Sequence, residues 1–304
     1  MRKINTLTVA MLLTGTFGVS AQEQQPEKIK NINIYDIAVQ AGYFSNPVSN
    51  GKLADFKTLY PESTLLNNNL ADFSESGDFS LINNTLFSVL LGIRFSDKQQ
   101  ERYKANPVLR LGISYLSGKT LQGDLYKTNR SPYDTLTSSQ TSQTIYIDSI
   151  TTEYYSMNYA SEQIRLDGSV IFRTDEKARL TLFAGIGLTT GVSIHATTEV
   201  HYSKYNREEM RFPTGHYAYP YTYHYPGSNI SKTETSQNKT HLVVSTYIPM
   251  GIDFRAGKKK EPWKRTHFFY EIRPSLNITS IPELRTITHT HVQHGLGLRI
   301  LCTS

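Results

Sequence analysis

The densest group of side chains that could do chemistry lies in the stretch 212–226. Its tyrosines occupy alternate positions: Tyr217, Tyr219, Tyr221, Tyr223 and Tyr225. Side chains two residues apart in an extended segment point to the same side, so the five rings would form one row. Tyrosine combines a large, rigid contact area with a polar tip and is frequent at recognition surfaces. The row predicts recognition of a glycan or a protein, and packing of the row on a neighbouring loop is the alternative.

A second group consists of charged residues that fall on one face of alternating segments. They are seven arginines and four acids: Asp36, Arg94, Arg110, Arg165, Asp167, Arg173, Asp253, Arg255, Glu271, Arg273 and Arg299. Charges that are removed from water must be paired or hydrogen-bonded to stay ionised. If this face is enclosed, the group predicts a structural network of salt bridges. An anion-attracting pore with a positive lining is the alternative.

Histidines form a third group, because several fall on the same face as the charges. The candidates for a transition-metal site are His195, His241, His289 and His291. Imidazole is a common ligand for such metals. Histidines in polar surroundings are more often only hydrogen-bonded, so the sequence predicts no metal and no other cofactor.

The patterns of common catalytic sites do not occur in the sequence. There is no G-x-S-x-G nucleophile elbow, no H-E-x-x-H zinc pattern and no phosphate-binding loop. Catalytic groups of some membrane enzymes are assembled across strands, so serine and histidine counts decide little. We expect that the chain is not an enzyme, with a lipid-modifying enzyme as the alternative.

The elements that must position these groups are eight stretches in which apolar and polar residues alternate. They are the approximate strands 32–44, 79–95, 107–117, 162–174, 178–195, 240–256, 266–279 and 286–301. One face of each is apolar and the other is polar, charged or glycine, which is the period-two pattern of β-strands. Connections one, three and five are long, and connections two, four and six are short. The third connection contains further alternation, so ten strands is the alternative to eight.

Three observations decide which face points inward. The apolar tracts run for about 9–11 residues, the length of a tilted strand that crosses a bilayer. Glycine falls almost wholly on the polar face, as expected for a narrow interior crowded by arginines. Aromatic residues such as Tyr43, Phe254 and Phe268 recur near the ends of apolar tracts, as in the girdles of membrane barrels. The sequence therefore predicts an all-β fold, a transmembrane up-and-down antiparallel β-barrel; a secreted, soluble lipocalin-like binding barrel is the alternative.

Residues 1–21 have the pattern of a cleaved signal peptide. Arg2 and Lys3 precede a mostly apolar stretch, and small residues at 19–21 suit the cleavage site. Removing this segment takes away two positive charges and no acid, so the formal charge falls from +6 to +4. That surplus is too small to predict nucleic-acid binding. The single cysteine, Cys302, excludes an internal disulfide.

On these patterns the chain resembles the small outer-membrane β-barrel proteins of Gram-negative bacteria, the eight-stranded OmpA-type class. In the last strand, Gln293, Gly295, Leu298 and Ile300 look like the signal by which the outer-membrane assembly machinery recognises its substrates. The chain departs from the family habit of a terminal aromatic residue, because it ends at Ser304 after Leu-Cys-Thr. The resemblance implies an outer-membrane location and one barrel domain over 22–304 without a periplasmic domain. It also implies long extracellular loops at about 45–78, 118–160 and 200–238.

The resemblance also implies partners and a role. The partners are outer-membrane lipid, lipopolysaccharide and the outer-membrane assembly machinery, with no nucleic acid. Together with the tyrosine row, it implies a structural or adhesin-like surface-recognition role through the loops, with a glycan or protein as ligand. A small porin-like pore or a lipid-modifying enzyme is the alternative function.

Overall fold

The fold is described by a computed structural model over residues 32–47, 49–76, 81–95, 107–137, 139–140, 144–174, 178–211 and 229–302. The signal-peptide segment and the tyrosine row at 217–225 lie outside these ranges, so both stay predictions. Neither described helix has the length or the apolarity to span a bilayer.

Twelve strands and two helices make up the described chain. The strands are β1 (Ile32–Pro47), β2 (Ser49–Asn50), β3 (Ser74–Glu75), β4 (Leu81–Phe95), β5 (Val108–Thr137), β6 (Thr144–Arg173), β7 (Leu180–Arg211), β8 (Ile230–Gln237), β9 (Leu242–Tyr247), β10 (Met250–Arg255), β11 (Thr266–Ser280) and β12 (Thr286–Leu301). The helices are α1 (Leu53–Leu59) and α2 (Glu261–Arg265).

The strands close into a ring of eight positions. Each long strand pairs antiparallel with its sequence neighbour, from β1–β4 and β4–β5 to β11–β12. Strands β8, β9 and β10 follow one another along β7, and β9 and β10 also pair with β11. Strand β12 pairs with β1 and completes the ring. The predicted eight-stranded up-and-down antiparallel barrel is confirmed.

The extra alternation in the third connection belongs to strands that extend out of the ring. β5 and β6 are 30 residues long and β7 is 32, whereas the pairing of β4 with β5 extends only as far as Thr85 and Ser117. The extensions pair with one another and with β8 to form a projecting sheet, composed of residues 120–137, 144–161, 196–211 and 230–237. The ten-stranded alternative is therefore wrong. Much of the predicted loops 118–160 and 200–238 is strand, because the alternation there continues the barrel ladder.

The two faces of the barrel wall differ in polarity. The outer face is an apolar band whose exposed side chains include Ile37, Val39, Phe87, Val89, Leu111, Ile113, Leu166, Leu182, Ile252 and Leu298. Exposed Tyr43 and Tyr115 lie at the end from which the projecting sheet rises, and exposed Phe172 and Phe254 lie at the other end. An apolar exterior with aromatic rims and a polar interior is the arrangement of outer-membrane barrels.

At two register shifts, side chains lie on the opposite face of the wall from the one that simple alternation predicts. A shift between Ile34 and Asp36 accompanies the burial of Tyr35, over whose ring the Arg94 guanidinium lies at 3.8 Å from the centroid. In β7, Glu162 faces His195 while Gln163 faces Ser193, so Ile194 is an inserted residue. A bulge of this kind exchanges the faces of the strand beyond it. His195, assigned to the interior by alternation, is therefore exposed on the outside.

Interior glycines make room for large side chains. A Cβ atom at Gly187 would collide with the ring of Tyr247, and one at Gly92 would collide with the Asp36 carboxylate. A narrow barrel filled by its own side chains needs glycine at such positions.

Candidate functional site

The centre of the barrel is filled by a cluster of ion pairs. Arg110 makes two hydrogen bonds to Glu271, of 2.7 and 3.0 Å. Arg273 donates to Glu271, and also to Asp167 and Gln40 at 2.9 Å each. All five side chains are buried. Because each charge has an opposite charge within hydrogen-bond distance, the cluster can stay ionised away from water.

A second cluster lies nearer the end of the barrel at which β1 begins. Arg299 bridges Asp36 at 3.0 Å and Asp253 at 2.5 Å. Arg173 reaches Asp36 at 3.6 Å, and His267 Nδ1 lies 2.5 Å from Asp253. These residues come from β1, β6, β10, β11 and β12, so the cluster ties together strands on different sides of the ring.

The structure places nine of the eleven candidate interior charges in buried positions. The other two, Arg94 and Arg255, are half-buried. Arg165 differs from the other buried arginines, because the bonds that the structure gives it all go to neutral oxygens, of Gln163, Ser245 and Asn277. An interior occupied in this way favours a structural network over the predicted alternative of an open anion pore.

The remaining candidate histidines lie inside, close to the end from which the sheet projects. The Tyr159 hydroxyl and His241 Nδ1 are 2.9 Å apart. The rings of His289 and His291 are 5.9 Å apart, and His291 bonds to Asn277 and Gln293. Among the described residues, no group of three histidine, cysteine, aspartate or glutamate side chains could hold a metal. His241 and His291 therefore belong to a hydrogen-bond network in this region.

A second core lies outside the apolar band, where residues 51–73 form a cap on the inner face of the projecting sheet. From the cap, the fully or nearly buried side chains are Phe56, Leu59, Leu65, Leu66 and Leu70. They pack on Leu121, Leu125, Tyr155, Met157, Tyr159, Ala196, Val200 and Ile281. The alternation pattern predicts only a loop here, within about 45–78. The spacing of Leu53, Phe56 and Leu59, three residues apart, is the signal that could have predicted the helix α1.

Polar contacts fasten the cap to the edge strand β8. Ser63 Oγ donates to Glu234 at 2.5 Å, Thr64 Oγ1 donates to the same carboxylate, and the Leu65 N–H donates at 3.3 Å. Burial acts to raise the pKa of Glu234, but these donors together hold its pKa below the usual value. Asn238 Nδ2 donates to the Leu59 carbonyl at 2.8 Å. The cap is therefore joined to β8 by its own side-chain and backbone donors as well as by its apolar side.

The outer face of the projecting sheet carries a shallow groove of about 680 Å³ lined by hydroxyls and rings. The lining includes Tyr126, Tyr154, Tyr205, Thr128, Thr152, Ser203, Arg207 and Glu75. Strand register explains the cluster, because Tyr126 faces Tyr154 across β5–β6, and Thr152 faces Tyr205 across β6–β7. We call this surface the tyrosine groove. It differs from the tyrosine row at 217–225. Patterns within single segments give no signal for it, because its three tyrosines are far apart in sequence and meet only in the sheet.

One tyrosine of the groove is held in a fixed orientation. The Tyr154 hydroxyl donates to Asp124 at 2.6 Å, and Gln122 Nε2 donates to the other oxygen of that carboxylate at 2.9 Å. Tyr126 has 44% of its surface exposed. The groove thus presents an exposed ring, Tyr126, directly opposite a positioned one, Tyr154.

Comparison with known proteins adds similarity of fold at low identity. No family model matches the chain, and no curated protein matches it. A crystal structure of Neisserial surface protein A is similar over 89% of this chain and 99% of that one, with 10% identity and a TM-score of 0.36. The attachment invasion locus protein Ail of Yersinia pestis, in complex with the heparin analogue sucrose octasulfate, is similar over 88% and 100%, with 12% identity and a TM-score of 0.24. Scores this low carry no inference about function, and the barrel is established by the strand pairing of the chain itself.

Proposed function

We propose that this protein is an integral barrel of the Gram-negative outer membrane that recognises a ligand through its projecting sheet. The membrane location is supported by the apolar band, which would be unfavourable in water and is what a bilayer requires of a barrel exterior. The band includes residues as exposed as Ile186, at 65%, and Leu296, at 69%. The ion-paired interior supports a closed barrel that does not conduct.

The recognition role is carried by one observation, the tyrosine groove on a sheet with its own core. The groove is built on paired strands and not on a loop, so its side chains are held in place before a ligand arrives, which lowers the cost of binding. Rings that carry hydroxyl groups can stack on a ligand and hydrogen-bond to it. The tyrosine row at 217–225 joins β7 to β8 in sequence and stays a prediction as a second contact surface.

Surface proteolysis of intact cells tests the membrane location and orientation. We expect cleavage within 51–76 or the projecting sheet while the barrel stays in the detergent-extracted membrane fraction. Cleavage near Lys258 in the opposite turn should need permeabilised cells. Release of the intact chain into the soluble periplasm would refute the proposal and favour the lipocalin-like alternative.

Binding of purified protein in detergent micelles to arrays of glycans and of extracellular-matrix proteins tests the recognition role. We expect the double substitution Tyr126→Ala with Tyr205→Ala to abolish binding to each array component that the wild type binds. Tyr133→Ala is the matched control, because Tyr133 is also exposed on β5, at 61%, but does not line the groove. Equal loss in the control, or binding that survives the double substitution, would place recognition elsewhere.

A further inference from the structure

The barrel wall has a groove that opens sideways, through the apolar band, at mid-height. It has a volume of about 620 Å³ and lies where β9 ends and β10 begins. Its rim is made of Ile186, Ile248, Leu276 and Val292, all exposed apolar side chains of the outer face. Six residues of β9 lie on one side of the break and six residues of β10 on the other, so the groove is far from both ends of the band. We call it the lateral groove.

Two prolines interrupt the hydrogen-bond ladder at the groove. Ile248 N–H donates to the Pro274 carbonyl at 3.1 Å, and Gly185 N–H donates to the Pro249 carbonyl at 2.8 Å. In antiparallel strands such pairs normally exchange two bonds, but proline has no N–H to return. One bond is therefore missing on each side of the same strand, at adjacent residues.

The register is continuous across this break. Tyr247 faces Ser275 and Met250 faces Ile272, with equal numbers of residues between them on the two strands. The bulges that the two prolines could have produced are absent at this point, and the faces are not exchanged. Two ladder bonds are therefore missing locally, and the strand order does not change.

The floor of the lateral groove is formed by interior side chains whose polar groups are already bonded. The Tyr247 hydroxyl donates to Asp167, Ser275 Oγ donates to the His291 carbonyl at 3.2 Å, and the His291 ring bonds to Gln293 at 2.7 Å. A ligand in the groove would therefore meet walls that are apolar except for the exposed Thr246 and Thr290, and a floor with little remaining demand for hydrogen bonds.

We propose that the lateral groove is a binding site for one acyl chain of an outer-membrane lipid. Its place at mid-height of the apolar band brings it against acyl chains and not against headgroups. A bound chain would fill the lateral groove beside the two missing ladder bonds. It would also cover Tyr247, which bonds to Asp167 of the ion-paired interior. The inference rests on the membrane location proposed above but not on the recognition role.

Native mass spectrometry of the barrel in detergent, with added phosphatidylethanolamine, tests the site. We expect the wild type to retain one dipalmitoyl lipid and to lose dihexanoyl phosphatidylethanolamine, which has the same headgroup and short chains. Dipalmitoyl phosphatidylglycerol should be retained as well. Equal retention of the short-chain lipid would indicate a headgroup site and overturn the proposal.

Substitutions locate the retained lipid. Ile186→Trp should fill the lateral groove and abolish retention, whereas Ile113→Trp, at an exposed outward position on β5, should leave retention as in the wild type. Pro274→Val restores an N–H and should also reduce retention, as an independent variant if tryptophan is not tolerated. The heat-dependent mobility shift of folded barrels confirms folding of each variant.

No retained lipid in wild type, or equal retention in Ile186→Trp and Ile113→Trp, would show that the groove binds no specific chain. Cell fractionation tests the membrane location separately. Wild-type chain outside the membrane fraction would refute that location, whatever the lipid measurement shows.

Discussion

Glu271, at the centre of the barrel, and Phe56, in the cap, are both buried with no exposed surface. Glu271 is held by two arginines through short, charge-assisted bonds, whereas Phe56 is held by apolar side chains from the cap and the projecting sheet. The barrel has its apolar surface outside and its charges inside, and the cap has the reverse. The chain therefore changes its packing chemistry where strands β5 to β7 leave the apolar band. The two cores should lose their structure under different perturbations.

The largest effect is expected from Glu271→Gln. The substitution leaves Arg110 and Arg273 buried without their shared carboxylate, and breaking a buried ion pair in this way costs about 3–5 kcal/mol. The urea midpoint of the barrel, measured from its heat-dependent mobility on gels, should fall markedly. Glu261→Gln is the control, because Glu261 pairs with Lys264 at an exposed turn, and it should leave the midpoint unchanged. An unchanged midpoint in Glu271→Gln would mean that the central ion pairs do not hold the barrel.

A local effect of similar size is expected from Phe56→Ala. Removal of a buried phenylalanine side chain costs about 3–5 kcal/mol, and here the loss falls on the docking of the cap. Limited proteolysis should cut within 51–73 faster than in the wild type, while the barrel keeps its folded mobility. Lys57→Ala, on the exposed side of the same helix, is the matched control. Simultaneous unfolding of barrel and cap would contradict the separation of the two cores.

A smaller, pH-dependent effect is expected at Glu234. Its pKa is lowered in the folded chain, so its contribution to cap docking is fully present above the unfolded value of about 4.3 and is lost as pH falls through the lowered folded pKa. The protection factors of amides 63–66, which are exchange rates corrected for the intrinsic pH dependence of exchange, should therefore fall below about pH 4. In Glu234→Gln the protection should be lower at neutral pH and should change little in acid. A loss of protection in acid that persists unchanged in the variant would assign the effect to another group.

The smallest effect is expected from Lys127→Ala at the edge of the cap. Lys127 bonds to the exposed Asp72 at 3.1 Å and lies 5.8 Å from the Phe73 ring centroid. Partly exposed pairs of this kind contribute about 0–1 kcal/mol. The rate of proteolysis within the cap should rise slightly in low salt and match the wild type in high salt. A loss as large as that of Phe56→Ala would show that charge, and not apolar packing, docks the cap.

The barrel could be predicted from the sequence because one rule, alternation of apolar and polar side chains, holds along most of its strands. Alternation in each strand reports an apolar outside and a polar inside, and this identified the eight strands and the side on which Arg110, Asp167 and Glu271 lie. The rule fails at bulges, which is why His195 was assigned to the wrong face. An inserted residue such as Ile194 leaves no distinct mark on a run of alternating residues.

The cap and the tyrosine groove could not be predicted in the same way. The cap packs Phe56 and Leu66 on residues that lie far away in sequence, such as Val200, and nothing local identifies that partner. The groove brings Tyr126, Tyr154 and Tyr205 together only after the register of three extended strands is known. Local pattern therefore predicted the elements of this chain, and long-range register determined the candidate site.

The length of the projecting strands determines how far the tyrosine groove and the strand tip stand from the apolar band. Residues 120–137 of β5 extend about 60 Å along the strand at roughly 3.3 Å per residue, and a tilt of about 35–45° still leaves some 40–50 Å of height. Tyr126 lies about a third of the way up this extension, and the polar tip of β5 and β6 stands well above it. Under the proposed membrane location, a ligand displayed on another cell would meet the tip before it met the groove. A slender partner, such as a single chain, could pass the tip and reach the groove, whereas a broad surface would contact the tip alone.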